Sequence, residues 1–246
     1  MTMPGRIAIK VSQLRKRFKA VQALDGVDLD FGAGRIHGII GPDGAGKTTL
    51  LRHLVGLMRA DGGEIRYSAG GAAISWDALS PKIAYMPQQQ SLYADLSIGE
   101  HLDFFRSLYR IPRNLYRSRC EELLEITRLK PFIDRPAGKL SGGMYKKLGL
   151  MCALLQSPVA LFLDEPTNGV DPISRREFWE LLYRMVDTGI LILVATAYMD
   201  EAERCGEVHL MDAGRCISEG EPAALLELEN AKDFSEIFLR REGVRP

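Results

Sequence analysis

The run Val159-Ala160-Leu161-Phe162-Leu163 is apolar at every position. Strands buried on both faces of a parallel sheet have this character, whereas a half-exposed strand alternates. Ile36 to Ile40 and Ile190 to Val194 read as further strands of the same kind. Between them the period changes. From Ser97 to Gln156 the pattern is helical, with Leu102, Phe105, Leu108 and Tyr109 on one stripe and Leu123, Leu124 and Leu129 later. Ser174-Arg175-Arg176-Glu177 has capping-box spacing and predicts the start of a helix burying Phe178, Leu181, Leu182 and Met185. Arg6 to Met86 mixes short strands with Gly-rich turns at Gly62-Gly63 and Gly70-Gly71. These patterns predict one domain over 6–246: a core of about 6–86 and 159–220, a helical insertion of about 88–158, and a charged helical tail of about 221–246. No long heptad run and no tandem repeat is visible.

Gly41-Pro42-Asp43-Gly44-Ala45-Gly46-Lys47-Thr48, followed by Thr49, fits the G-x-x-x-x-G-K-[ST] phosphate loop in full. It lies between the Ile36–Ile40 strand and an amphipathic helix carrying Leu50, Leu51, Leu54, Val55 and Met58, the context the motif requires. The glycines let backbone N–H groups turn inward around phosphates, and the helix dipole adds positive potential. Lys47 supplies a mobile charge to the β- and γ-phosphates of ATP, and the Thr48 hydroxyl is a ligand for Mg²⁺.

Asp164 closes the Val159–Leu163 strand at the end where open α/β sheets place their ligands. It is expected in the Mg²⁺ shell, through water, with Glu165 polarising the attacking water. A lone strand-end Asp-Glu would read as exposed carboxylates, so this assignment leans on a further motif. Leu140-Ser141-Gly142-Gly143-Met144 opens a helix with a serine hydroxyl and free backbone N–H groups, which is a ready anion site. One chain rarely folds two phosphate-seeking surfaces onto one nucleotide. Two such domains are therefore expected to sandwich ATP.

With these motifs the chain resembles the ATP-binding cassette transporter ATPases over nearly its whole length. The resemblance implies a P-loop NTPase core of RecA type, in the α/β class, with an antiparallel β subdomain and an inserted α-helical subdomain. It implies that Phe18 stacks on adenine, a use open to any aromatic face, although alone Phe18 would read as core. Tyr85-Met86-Pro87-Gln88 looks like the family's glutamine loop, which implies that Gln88 reaches Mg²⁺ and takes part in catalysis. Gln89 and Gln90 follow, so that register stays open by one or two residues. Asn168-Gly169-Val170-Asp171 stands at the family's dimer-contact loop and brings Asp171 to the nucleotide sandwich. Met144 replaces the usual glutamine of the Ser-Gly-Gly motif.

Tyr198-Met199-Asp200-Glu201-Ala202-Glu203-Arg204-Cys205 is similar to the exporter branch of the family. That branch places a γ-phosphate-contacting histidine just before the Tyr-Met, and this chain has Ala197. An alanine side chain has no donor. Either a neighbour such as the Thr196 hydroxyl substitutes, or the site hydrolyses weakly or not at all. The implied partners are a second cassette, in a hetero-pair or a homodimer, and an integral membrane permease. The implied location is the cytoplasmic face of the inner membrane. The segment from Gln88 through Tyr109 is expected to meet the permease, with Tyr93 as its exposed member.

Composition narrows the alternatives. Lys plus Arg number 32 and Asp plus Glu 32 in 246 residues, so no global field seeks nucleic acid. Arg15-Lys16-Arg17 reads as a solvated local cluster. A soluble cassette acting on DNA or ribosomes would be expected to show paired cassettes, a coiled-coil insertion or basic surfaces, and a small-molecule kinase would lack the Ser-Gly-Gly turn. Cys120, Cys152, Cys205 and Cys216 show no C-x-x-C spacing, and His37, His53, His101 and His209 are scattered. Met1 to Arg6 lacks the design of a signal peptide. No apolar stretch approaches the ~20 residues of a spanning helix, so a transport pathway is expected from another polypeptide or another part of a longer one.

Overall fold

The computed structural model describes residues 6–89 and 92–241. The readings made on Met1 to Gly5, on Gln90 and on the last residues of the tail lie outside them. Three apolar runs form the middle of a six-stranded sheet: β3 (Ile36–Ile40), β7 (Ala160–Asp164) and β8 (Leu191–Thr196). Their side chains alternate between two cores. Leu161, Leu163, Ile192 and Val194 face one, and Ala160, Phe162, Leu191 and Leu193 face the other. With both faces covered, every position is buried, which is why the sequence shows no alternation.

The remaining elements close those two faces. β1 (Ile7–Phe18), β2 (Val21–Gly32), β4 (Gly62–Ala69) and β5 (Ala72–Ile74) form a four-stranded antiparallel sheet in the order β2-β1-β4-β5. Its apolar face and helix α1 (Lys47–Leu54) cover one side of the central sheet. The short helix α2 (Trp76–Leu79) leads to β6 (Ile83–Met86) at the sheet edge. Helices α3 (Ile98–Leu108), α4 (Arg113–Ile126) and α5 (Gly142–Leu154) make the insertion, and α6 (Pro172–Val186) joins them over the other side. The sheet runs β10-β9-β3-β8-β7-β6, with β9 (Glu207–Asp212) and β10 (Arg215–Gly220) added at one edge. β3, β6, β7, β8 and β9 are parallel, and β10 is antiparallel to β9. Helices α7 (Pro222–Leu228) and α8 (Phe234–Arg241) form the tail.

Three expectations need correction. Helix α6 begins at Pro172, ahead of the anticipated cap: Asp171 accepts from Ser174 N–H at 3.0 Å, and Pro172 occupies the first turn. Glu177 is thereby freed to pair with Lys147 and Arg128. A capping box does occur, on α3, between Ser97 and Glu100. Leu108 leaves the buried stripe of its helix and is 58% exposed. Last, two of the scattered histidines meet. β3 and β9 are parallel neighbours and bring His37 Nδ1 to 3.1 Å from His209 Nε2. His37 Nε2 donates to Gly32 C=O at 2.8 Å, and His209 Nδ1 lies 3.0 Å from the Glu219 carboxylate.

Candidate functional site

The site forms where β3, β6, β7 and β8 end. Glycine is required in the loop between β3 and α1 by packing as well as by conformation. A Cβ on Gly41 would lie 2.1 Å from the Met211 carbonyl oxygen. Gly46 has φ +102°, and a Cβ there would meet the Ala23 carbonyl oxygen at 2.5 Å. Lys47 folds back over the loop and donates from Nζ to the carbonyls of Gly41 and Pro42 at 2.8 and 2.9 Å. Its ammonium also lies 3.6 Å from Glu165 Oε1, and both side chains are buried.

Asp164 is wholly buried and doubly bonded. Thr48 Oγ1 donates to its Oδ1 at 2.8 Å, and Tyr85 OH donates to its Oδ2 at 3.1 Å. Burial and the adjacent carboxylate push the Tyr85 phenol up to about 12, so it remains a donor. A hydroxyl and a carboxylate held together at a phosphate loop are hard oxygen donors, which fits Mg²⁺.

Glu165 follows with φ +47°, a left-handed conformation that costs a residue with a Cβ free energy and that commonly marks a site. Its N–H donates to Ala195 C=O at 2.8 Å, which holds the residue at the sheet end. Burial raises the Glu165 carboxyl above the ordinary value, opposed by the Lys47 ammonium and by a hydrogen bond from the Ala197 backbone N–H. A carboxylate so poised suits a base working near neutral pH. Lys146, one turn into α5, donates to the carbonyls of Gln88 at 3.4 Å and Glu165 at 3.5 Å.

The remaining positions divide. Gln88 follows β6, two residues past the Met86 that pairs with Leu163, and is exposed. Phe18 ends β1 with its ring 43% exposed and Lys16 Nζ 5.6 Å from the ring centroid, unlike a core residue. Ser141 caps α5, its Oγ accepting from Met144 N–H at 3.3 Å. Ser141 and Gly142 face solvent, while Gly143 packs so tightly that a Cβ would lie 2.4 Å from Ser174. Asp171 spends its carboxylate on the α6 cap. Thr196 is wholly buried and its hydroxyl accepts from Tyr198 N–H at 3.0 Å, so it turns away from solvent. Tyr85 and Lys146 were not foreseen as site residues. An aromatic within an apolar strand, even one leading into a glutamine loop, and a lysine within a helix carry no ligand signal of their own.

The ABC transporter family model matches residues 24–168. A probable multidrug ABC transporter ATP-binding protein, YbhF, of Escherichia coli (strain K12) is 43% identical over 228 residues, 92% of this chain and 39% of that protein. The chain therefore spans well under half the length of that relative. The daunorubicin resistance ATP-binding protein DrrA3 of Streptomyces coeruleorubidus is 37% identical over 96% of this chain and 75% of its own. Among solved structures, an ATP-binding subunit of an ABC transporter superposes with a TM-score of 0.80 at 27% identity, covering 94% of this chain and 98% of that one.

Proposed function

Because the chain belongs to the ABC transporter family, with its P-loop NTPase fold, we propose that it binds and hydrolyses ATP to power an exporter. The observation that carries this reading is the Lys47, Thr48, Asp164 and Glu165 cluster on adjoining strand ends. ATP entering the loop offers Lys47 a better partner than two carbonyls and a carboxylate, so its ammonium moves to the phosphates. Glu165 is then released from its ion pair and is free to take the proton of the attacking water. Thr48 and Asp164 would hold Mg²⁺, which supplies charge neutralisation at the phosphates. Tyr85 keeps the Asp164 carboxylate oriented through Oδ2.

The exposed Ser141-Gly142 turn belongs, on this reading, to the nucleotide of a second cassette. ATP favours the closed pair by contacts to both chains, and loss of the γ-phosphate removes that preference. Exposed Tyr93 and Phe104, whose rings meet edge to face at 5.5 Å, would supply the face for a membrane permease. No helix among the described residues is long and apolar enough to cross a membrane, and the pathway is assigned to another polypeptide or another part of a longer one. The relatives named for multidrug transport and daunorubicin resistance favour export over import.

Ala197 favours a second reading, an asymmetric pair in which this chain's own site turns over slowly. Thr196 does not offer a replacement donor, because its hydroxyl is buried. Two variants separate binding from hydrolysis. Lys47→Ala should weaken ATP binding in a nucleotide titration, whereas Glu165→Gln should bind normally and release phosphate ~10²-fold more slowly or worse. Equal ATP affinity for wild type and Lys47→Ala would sink the phosphate-loop assignment.

A further inference from the structure

The segment after Ala197 carries a buried side-chain cluster that the phosphate chemistry does not use. Glu201 is wholly buried, and its Oε1 accepts two hydrogen bonds: from Thr167 Oγ1 at 2.6 Å and from Trp179 Nε1 at 3.0 Å. Thr167 lies two residues past Glu165, and Trp179 is on α6. One carboxylate oxygen thus joins three pieces of chain. Tyr198, on the same segment, reinforces the link. Its ring lies 4.1 Å from the Arg175 guanidinium carbon, and its hydroxyl is 3.4 Å from Asn168 Oδ1. Arg175 also pairs with Asp200 at 3.3 Å.

We propose, building on the hydrolytic reading above, that Glu201 is a positioning residue for Glu165. It ties the Ala197–Arg204 segment to the loop that follows Glu165, and so keeps that loop closed on the Glu165 backbone, where Asn168 N–H bonds the Glu165 carbonyl. The tether is short at each step. Glu201 N–H donates to Tyr198 C=O at 3.1 Å, and Tyr198 N–H donates to Thr196 Oγ1 at 3.0 Å. On the other side Asn168 N–H donates to Glu165 C=O at 3.3 Å, and Val170 N–H donates to Thr167 C=O at 3.1 Å. Thr167 to Glu201 is the cross-strut between these two turns. A buried carboxylate is costly without partners, so two donors converging on one oxygen make a rigid joint.

The test uses Thr167→Val, which removes the hydroxyl at nearly constant shape, Thr167→Ser, which restores it, and Glu201→Ala, which removes both acceptor contacts. In the nucleotide-free chain, amide hydrogen exchange at Asn168, whose N–H bonds the Glu165 carbonyl, should quicken by about five- to tenfold in Thr167→Val and match wild type in Thr167→Ser. In phosphate release, kcat should fall by about five- to tenfold in Thr167→Val while KM for ATP stays unchanged. ATP affinity should stay unchanged, and Thr167→Ser should restore kcat. Wild-type protection of Asn168 or an unchanged kcat in Thr167→Val overturns the assignment. If Glu201→Ala fails to fold, Thr167→Val still decides. A wild-type chain that binds ATP without turnover would count against hydrolysis, while the exchange measurement would still judge the tether.

Discussion

At the scale of single residues the site depends on where charge is buried. Lys47 and Glu165 lie 3.6 Å apart with little water around them, so on the proposed reading each holds the other until phosphate arrives. Breaking such a pair from one side leaves an uncompensated buried charge. On the proposed reading, Ala197 is the other residue on which activity turns. Its backbone serves Glu165, but its methyl side chain offers nothing to a γ-phosphate. The chain by itself should bind ATP well and hydrolyse it slowly. Ala197→His should raise turnover, since one transition-state donor contributes about 3 kcal/mol where it is well placed. Steady-state phosphate release by the two purified chains checks this. Brisk, Glu165-dependent turnover by wild type would show that the alanine is compensated.

At the scale of elements, the packing of α5 on α6 sets the presentation of the Ser-Gly-Gly turn. Gly143 approaches Ser174 so closely that a Cβ there would overlap the Ser174 side chain at 2.4 Å, whereas a Cβ on Gly142 would lie 3.2 Å from the Gly169 carbonyl oxygen. Gly143→Ala should therefore force the α5 N-terminus away from the start of α6 at Ser174. The expected cost is about 1–3 kcal/mol, visible as a lower urea midpoint with an unchanged slope. Burial of ATP between two chains should suffer further, because the Ser141 hydroxyl would be displaced. The capping of α6 shows how such detail escapes a local reading. Ser174 and Glu177 have the spacing of a capping box, yet Asp171-Pro172 starts the helix first. A proline with preset φ, behind a good acceptor, outcompetes a later serine.

At the scale of the whole molecule, the β3–β9 pairing gives the fold a pH dependence. Burial holds the His37 imidazole down at about 4, against 6.5 for the free side chain. Between those values the unfolded chain takes up a proton that the folded chain refuses. Stability should therefore rise with pH across this window and be lost on acidification, by up to roughly 3 kcal/mol. Glu219 acts in the same direction at lower pH, its carboxyl held down by the hydrogen bond to His209. Urea midpoints measured from pH 7 to 4 should fall, and His37→Asn should flatten the slope. An unchanged slope in that variant would show that His37 does not carry the effect.

The phosphate loop, the Asp164-Glu165 strand end and the Ser141-Gly142-Gly143 turn were legible in the sequence because each is a contiguous stretch whose chemistry is local. Backbone N–H groups, a lysine and a helix start need only neighbours along the chain. The central strands were legible for a related reason, since burial on both faces leaves an apolar run that no long-range detail disguises. Tyr85 on Asp164, Lys146 on Gln88 and Glu165, His37 on His209, and Thr167 with Trp179 on Glu201 were not. Each pairs residues that are remote in sequence, and each side chain alone fits an ordinary strand, helix or surface position. Strand order and helix packing decide which polar groups share a buried space. Once water is excluded there, most donors are required to find an acceptor. That requirement acts only on the folded chain, so only the tertiary structure decided how Glu165 is held.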